Sequence, residues 1–207
     1  MMIAMGSPRR RAGWIVRAGV AVLAALAAGC STGSPPDDEP SPTAESAALR
    51  VQTVTGAERL DEQTRTEVEG AVGDVLSDYV VAAFLGEFPR QEFVQAFEPF
   101  TSVAARKATR DIDKLTAATA RDATAVRATD LDARLSFLTQ AGDVLGGTAE
   151  VHFAFDATME DGTTRPLVLD GRFMLVADDD SWSIFGYDVR FDDGGETPAE
   201  AESGGGA

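Results

Sequence analysis

The sequence predicts an α+β domain, with helices first, an antiparallel sheet after them, and the helices on one face of that sheet. Three observations predict it. Apolar residues recur every three or four positions from Val68 to Phe84. They alternate every second position in three later stretches, Val151–Ala157, Leu167–Ala177 and Trp182–Phe191. Between these stretches stand the turn signals Glu160-Asp161-Gly162-Thr163 and Asp178-Asp179-Asp180-Ser181, short enough that the flanking strands must run antiparallel.

The chain opens with Arg9, Arg10, Arg11 and Arg17 and no acid, followed by the uncharged stretch AGVAVLAALAAG over residues 18–29. A basic start and a short apolar run describe a secretory signal. Twelve residues of helix rise about 18 Å, too little for a hydrocarbon core of about 30 Å. Cys30 follows, the only cysteine in 207 residues. The run Leu26-Ala27-Ala28-Gly29-Cys30 resembles the lipobox of bacterial lipoproteins; the leucine usual three places before the cysteine stands one place early, with Ala27 in its stead. The resemblance implies cleavage before Cys30, a diacylglyceryl (palmitate-type) modification of its thiol, and a chain held on the extracytoplasmic face of the cell membrane. Residues 1–29 are thus expected to be a signal peptide.

Of the 18 basic residues four fall in that signal, which holds no acid; the remainder carries 14 basic and 34 acidic residues, a net charge of −20. Such a surface repels nucleic acid and anionic lipid headgroups. With one histidine and one cysteine, zinc, haem and iron–sulfur sites lack their usual ligands, no intramolecular disulfide can form, and no cofactor is expected. Arginine over lysine (only Lys107 and Lys114) and abundant alanine point to a high-GC bacterium such as an actinomycete.

Residues 30–47, rich in proline, serine and acids, read as a flexible tether, and residues 192–207 as a disordered acidic, glycine-rich tail. One domain of ordinary size remains, 48–191. Its first helix follows a break at Gly56 and begins near Asp61. It buries Val68, Val72, Val75, Leu76, Tyr79, Val80, Ala83 and Phe84 on one face and stops before Gly86 and Pro89. Gly70 and Gly73 inside it cost about 1 kcal/mol each against alanine. Pro99 breaks the next segment, and Thr101 is a candidate N-cap for a second helix to about Arg110. Ile112 and Leu115 dock a short turn. Residues 123–137 are expected to hold one strand and an irregular piece, and Gly146-Gly147 to mark a turn.

On the apolar-in rule, Phe153, Phe155, Leu169 and Phe173 face the helices. His152, Asp156, Asp170 and Arg172 then face outward, where a cross-strand ion pair can form. On the last strand Trp182, Ile184, Gly186 and Asp188 are expected on one face, opposite Ser183, Phe185, Tyr187 and Val189.

The long first helix through Leu85, the segment Phe97-Glu98-Pro99-Phe100-Thr101 and the terminal hairpin LVLDGRFMLVADDDSWSIFGYDV together resemble the nuclear transport factor 2-like superfamily. The resemblance covers roughly 58–191. It implies a curved sheet wrapped around the helices as a cone. Three readings of the activity follow. One is a non-enzymatic accessory domain in envelope transport or assembly, which predicts a cone filled by side chains and an envelope protein partner. Another is a module binding an apolar small molecule or lipid, in a pocket lined by candidates Phe97, Phe100, Phe153, Phe155 and Phe173. The third follows from the resemblance, whose members include isomerases and cyclases; such a site here would draw on His152, Asp156, Asp170, Asp188, Tyr79 and Tyr187. The outward placement of the acids disfavours the enzyme. The Asp178-Asp179-Asp180 run lacks the spacing of a calcium loop, and Gly146-Gly147 lacks the lysine of a phosphate loop.

Overall fold

A computed structural model describes residues 45–195 apart from 142, 179 and 180. The expected signal peptide, Cys30, tether residues 31–44, Asp179 and Asp180 of the acidic hairpin turn and tail residues 196–207 lie outside the described residues.

The domain is α+β. Strand β1 (Arg50–Thr55) comes first, then helix α1 (Glu62–Phe84), short helices α2 (Ser102–Ala108) and α3 (Ile112–Leu115), and strands β2 (Ala125–Gln140), β3 (Asp143–Thr158), β4 (Thr164–Asp178) and β5 (Ser181–Asp192). The five strands form one mixed sheet in sequence order, β1 parallel to β2 and the rest an antiparallel meander. No described helix is long and apolar enough to cross a membrane.

Helix α1 starts where Asp61 accepts hydrogen bonds from the backbone N–H and hydroxyl of Thr64, both 2.9 Å. This satisfies a donor the first turn would leave bare. Its C-terminus is closed by the Arg90 guanidinium, which donates to the carbonyls of Ala82 (2.6 Å) and Leu85 (3.2 Å). Val72, Leu76, Tyr79, Val80, Ala83 and Phe84 are buried, as the spacing predicts. Thr101 caps α2 through Ala104 N–H. The Pro99–Thr101 backbone then lies on β5, with Ile184 donating to Pro99 and accepting from Thr101, each 2.9 Å. The hairpin at Asp161 closes as expected, its carboxylate accepting from Thr163 N–H at 2.9 Å.

Four expectations need correction. Residues 50–55 were assigned no element and form β1. The parallel pairing with β2 that holds it has no local signal, so the helices lie between two strands instead of ahead of the sheet. Residues 125–140 are one continuous strand, because β1 and β3 pair with it on both sides. Gly146-Gly147 is not a turn but lies inside β3. A Cβ at Gly146 would stand 2.6 Å from the Leu175 carbonyl oxygen, and one at Gly147 2.8 Å from that of Ser136, so glycine answers close strand approach. On β5 a bulge leaves Phe185 unpaired between Ile184 (opposite Leu175) and Gly186 (opposite Met174). The extra residue flips the faces beyond it, and Tyr187, Val189 and Phe191 join Ile184 on the inner side.

The packed chain also runs past the expected domain edges. The Ser46 hydroxyl accepts from Ala128 N–H, and Ala47 N–H donates to Ala128 O, both 2.9 Å. Asp193 pairs with Arg165 at 2.7 Å.

Candidate functional site

The inner face of the sheet and the helices enclose a core of rings. Phe84 stacks on Phe155 with centroids 4.4 Å apart and planes 11° apart. Tyr79 meets Phe173 at 5.0 Å and Phe100 at 5.8 Å, and Phe97 meets Phe100 at 5.4 Å. Offset and edge-on contacts of this kind are favourable arrangements for aromatic quadrupoles. All five phenylalanines expected to line a pocket, Phe97, Phe100, Phe153, Phe155 and Phe173, are buried in this cluster. None of them lines the surface grooves described below.

The candidate catalytic groups separate into two sets. Tyr79 is wholly buried, and its hydroxyl donates to the Leu115 carbonyl at 2.5 Å; burial pushes its pKa well above the ordinary phenol value. Tyr187 donates to Asp111 at 2.8 Å beneath the Lys107 ammonium, which lies 3.7 Å from its ring centroid. Partial burial, then the Asp111 hydrogen bond, raises the Tyr187 pKa, while the same bond and Lys107 hold the Asp111 carboxyl below its ordinary range. Both tyrosines tie helices to their surroundings. The other groups lie on the outer face, His152, Asp156 and Asp170 as the alternation predicts and Asp188 because the bulge at Phe185 reverses the faces beyond it. Among the described residues no carboxylate and no histidine is buried.

That outer face carries two rows of alternating basic and acidic side chains, because strand register places them side by side. One runs Arg50, Asp132, His152, Asp170, Arg190 across all five strands. Arg50 reaches Asp132 at 2.7 Å, His152 Nδ1 lies 2.7 Å from Asp170, and Arg190 approaches Asp170 at 3.8 Å. Asp132 is held below its ordinary pKa first by the Arg50 hydrogen bond. The next row runs Arg134, Glu150, Arg172, Asp188, with Arg172 3.6 Å from Asp188. A shallow groove of about 290 Å³ lies over these rows at Gly171. Asp156, nearer the start of β2, pairs with Arg127 at 2.7 Å.

Two residues further along the strands the chemistry changes. Ser136, Thr148, Met174 and Gly186 stand in one register, and beyond them an open trough of about 470 Å³ is rimmed by Leu138, Leu145 and Phe185. These three are 65%, 45% and 51% exposed, high for large apolar side chains. Leu145 and Phe185 are both bulge residues, unpaired in the register of β3 and β5. Bulges re-aim side chains, and here both turn an apolar residue outward. The floor is low because Gly146 and Gly147 contribute no side chain, and Met174 spreads over Gly186. A second groove, of about 580 Å³, lies between α1 and Pro99, with Asp78, Glu98 and Trp182 on its walls.

The alternation along β4 puts Met174 and Val176 opposite Phe173 and Leu175, on the outer face, whereas Leu138, Leu145 and Phe185 are not among the sequence-derived site residues. A signal existed. Phe137-Leu138, Val144-Leu145, Leu175-Val176 and Ile184-Phe185 are adjacent apolar pairs, and with a period of two one member of each pair must leave the core.

No protein-family model, curated protein or solved structure matches this chain.

Proposed function

We propose that this chain is an extracytoplasmic lipoprotein, held at the cell membrane by a lipid on Cys30, whose domain is a non-enzymatic docking module for another envelope protein. The observation that carries the reading is the division of apolar surface. The interior phenylalanines are used up on one another, whereas Leu138, Leu145 and Phe185 stand in the open around a trough. Contiguous exposed apolar surface of this kind favours an interaction site over a bare surface. The acids and the histidine that an isomerase would need are paired with neighbouring side chains on the solvent-facing side of the sheet. We further read the domain as nuclear transport factor 2-like. Supporting this, the three features that carry the resemblance pack together: Tyr79 of α1 on Phe100, and the Pro99–Thr101 backbone on Ile184 of the terminal hairpin.

The test is made in cells. Cys30→Ser should move the chain out of the membrane fraction; retention there would defeat the anchor. A photo-crosslinking residue at Leu138 should yield a discrete heavier adduct with a second protein, and one at Val81, exposed on α1, should not. Adducts only to lipid or a small molecule at position 138 would favour the carrier reading and overturn the docking module.

A further inference from the structure

Resting on that docking reading, we infer that the trough receives the apolar face of a basic amphipathic helix from a partner protein. Four observations select this occupant. The trough lies on a face of the sheet, and the backbone groups of β2, β3, β4 and β5 point along the sheet toward neighbouring strands instead of out of that face. An incoming strand would find no backbone hydrogen bonds there, whereas a helix satisfies its own and needs only side-chain contact. The width also fits. Leu138 on β2 and Phe185 on β5 are separated by three strand spacings, about 14 Å. A helix with its side chains measures about 10–12 Å across. Met174 on the floor is unbranched and adapts to irregular apolar surfaces.

Charge chooses the partner's sign. No charged side chain lines the trough. Asp143 and Asp178, both exposed, stand two residues beyond Leu145 and Val176 at the strand ends, and neither is in an ion pair among the described residues. The nearest cation along β4, Arg172, is turned to Asp188 at 3.6 Å. An apolar floor with an acidic lip, on a chain of net charge −16, suits apolar residues flanked by lysine or arginine. The same charge repels an anionic bilayer and a second copy of this chain.

Position agrees. Ser46 and Ala47 join β2 at Ala128, and Asp193 joins β4 at Arg165, so the described chain enters and leaves at one end of the strands. Leu138 lies ten residues on from Ala128, about 33 Å along β2. An anchor upstream of Glu45 therefore pulls on the end opposite the trough.

The test uses the full chain and three labelled synthetic helical peptides: one of leucine and lysine, one with serine replacing leucine, and one with glutamate replacing lysine. Binding is read by fluorescence anisotropy at near-physiological salt. The leucine–lysine peptide should bind about tenfold or more tighter than either control, and Leu138→Ser with Phe185→Ser should remove that advantage. Asp143→Asn with Asp178→Asn, which leaves the apolar rim intact, should weaken it by about threefold. Equal binding of the leucine–lysine and serine–lysine peptides, or an unaltered advantage in the rim variant, would overturn the proposal. Tight binding of the leucine–glutamate peptide would overturn the basic class while leaving the docking module, read from the Leu138 adducts, standing. Sedimentation showing a dimer that the rim variant dissolves would assign the trough to a second copy and sink the inference.

Discussion

Along β4 the residues Leu167, Leu169, Phe173 and Leu175 are buried, and their immediate neighbours Asp170, Arg172, Met174 and Val176 look the other way. The same backbone thus carries two chemistries that answer different questions. The inner face meets α1, where aromatic rings pack on one another. The outer face meets solvent over its charged rows and leaves apolar surface uncovered at one end. The trough rimmed by exposed large apolar side chains lies on that outer face.

Substitutions on the two faces can break that contrast. The largest effect is expected at Phe173, whose ring touches Tyr79 and Phe100. Phe173→Ala should cost about 3–5 kcal/mol by cavity formation, read by denaturant unfolding. A loss below about 1 kcal/mol would mean that the interior is loose enough to admit a ligand after all. Tyr79→Phe comes next. It strands the Leu115 carbonyl in the core and should cost about 1–3 kcal/mol.

On the outer face the expected costs are smaller. Arg172→Ala breaks an exposed pair with Asp188 and should cost at most about 1 kcal/mol, shrinking further in salt. Leu138→Ser with Phe185→Ser should change unfolding by no more than about 0.5 kcal/mol each while removing the binding advantage of the leucine–lysine peptide. If the rim variants unfold as readily as Phe173→Ala, the trough is part of the core and the contrast fails.

A pH measurement sharpens the same point. The folded-state pKa of Asp111 is depressed, first by the Tyr187 hydrogen bond and then by Lys107. Its stabilising contribution is therefore present above the ordinary carboxylate pKa of about 3.9 and is lost as pH falls through the lower folded value. Tyr187→Phe should move the Asp111 titration, followed by carboxyl NMR, back toward the ordinary value. An unmoved titration would show that Lys107 and Lys114 alone hold it.

Much of this was legible in the residues themselves. The helical spacing from Val68 to Phe84 and the alternation from Val151 to Leu175 are local patterns, and burial needs only the right period, so both the elements and their inward faces follow. The outward placement of His152, Asp156, Asp170 and Arg172 follows from the same alternation. The adjacent apolar pairs at residues 137–138, 144–145, 175–176 and 184–185 signal that some apolar side chains must leave the core, because neighbours in a regular strand point to opposite faces. Tertiary structure alone decided the rest. Strand β1 exists through parallel pairing with residues more than seventy positions away, and nothing local rewards six residues for that. The bulges at Leu145 and Phe185 depend on the register of the neighbouring strand, and one extra residue there reverses every face that follows. Pairing across the sheet gathers four separate apolar doublets at one end of it, since lateral neighbours are set by hydrogen-bond register and not by distance along the chain.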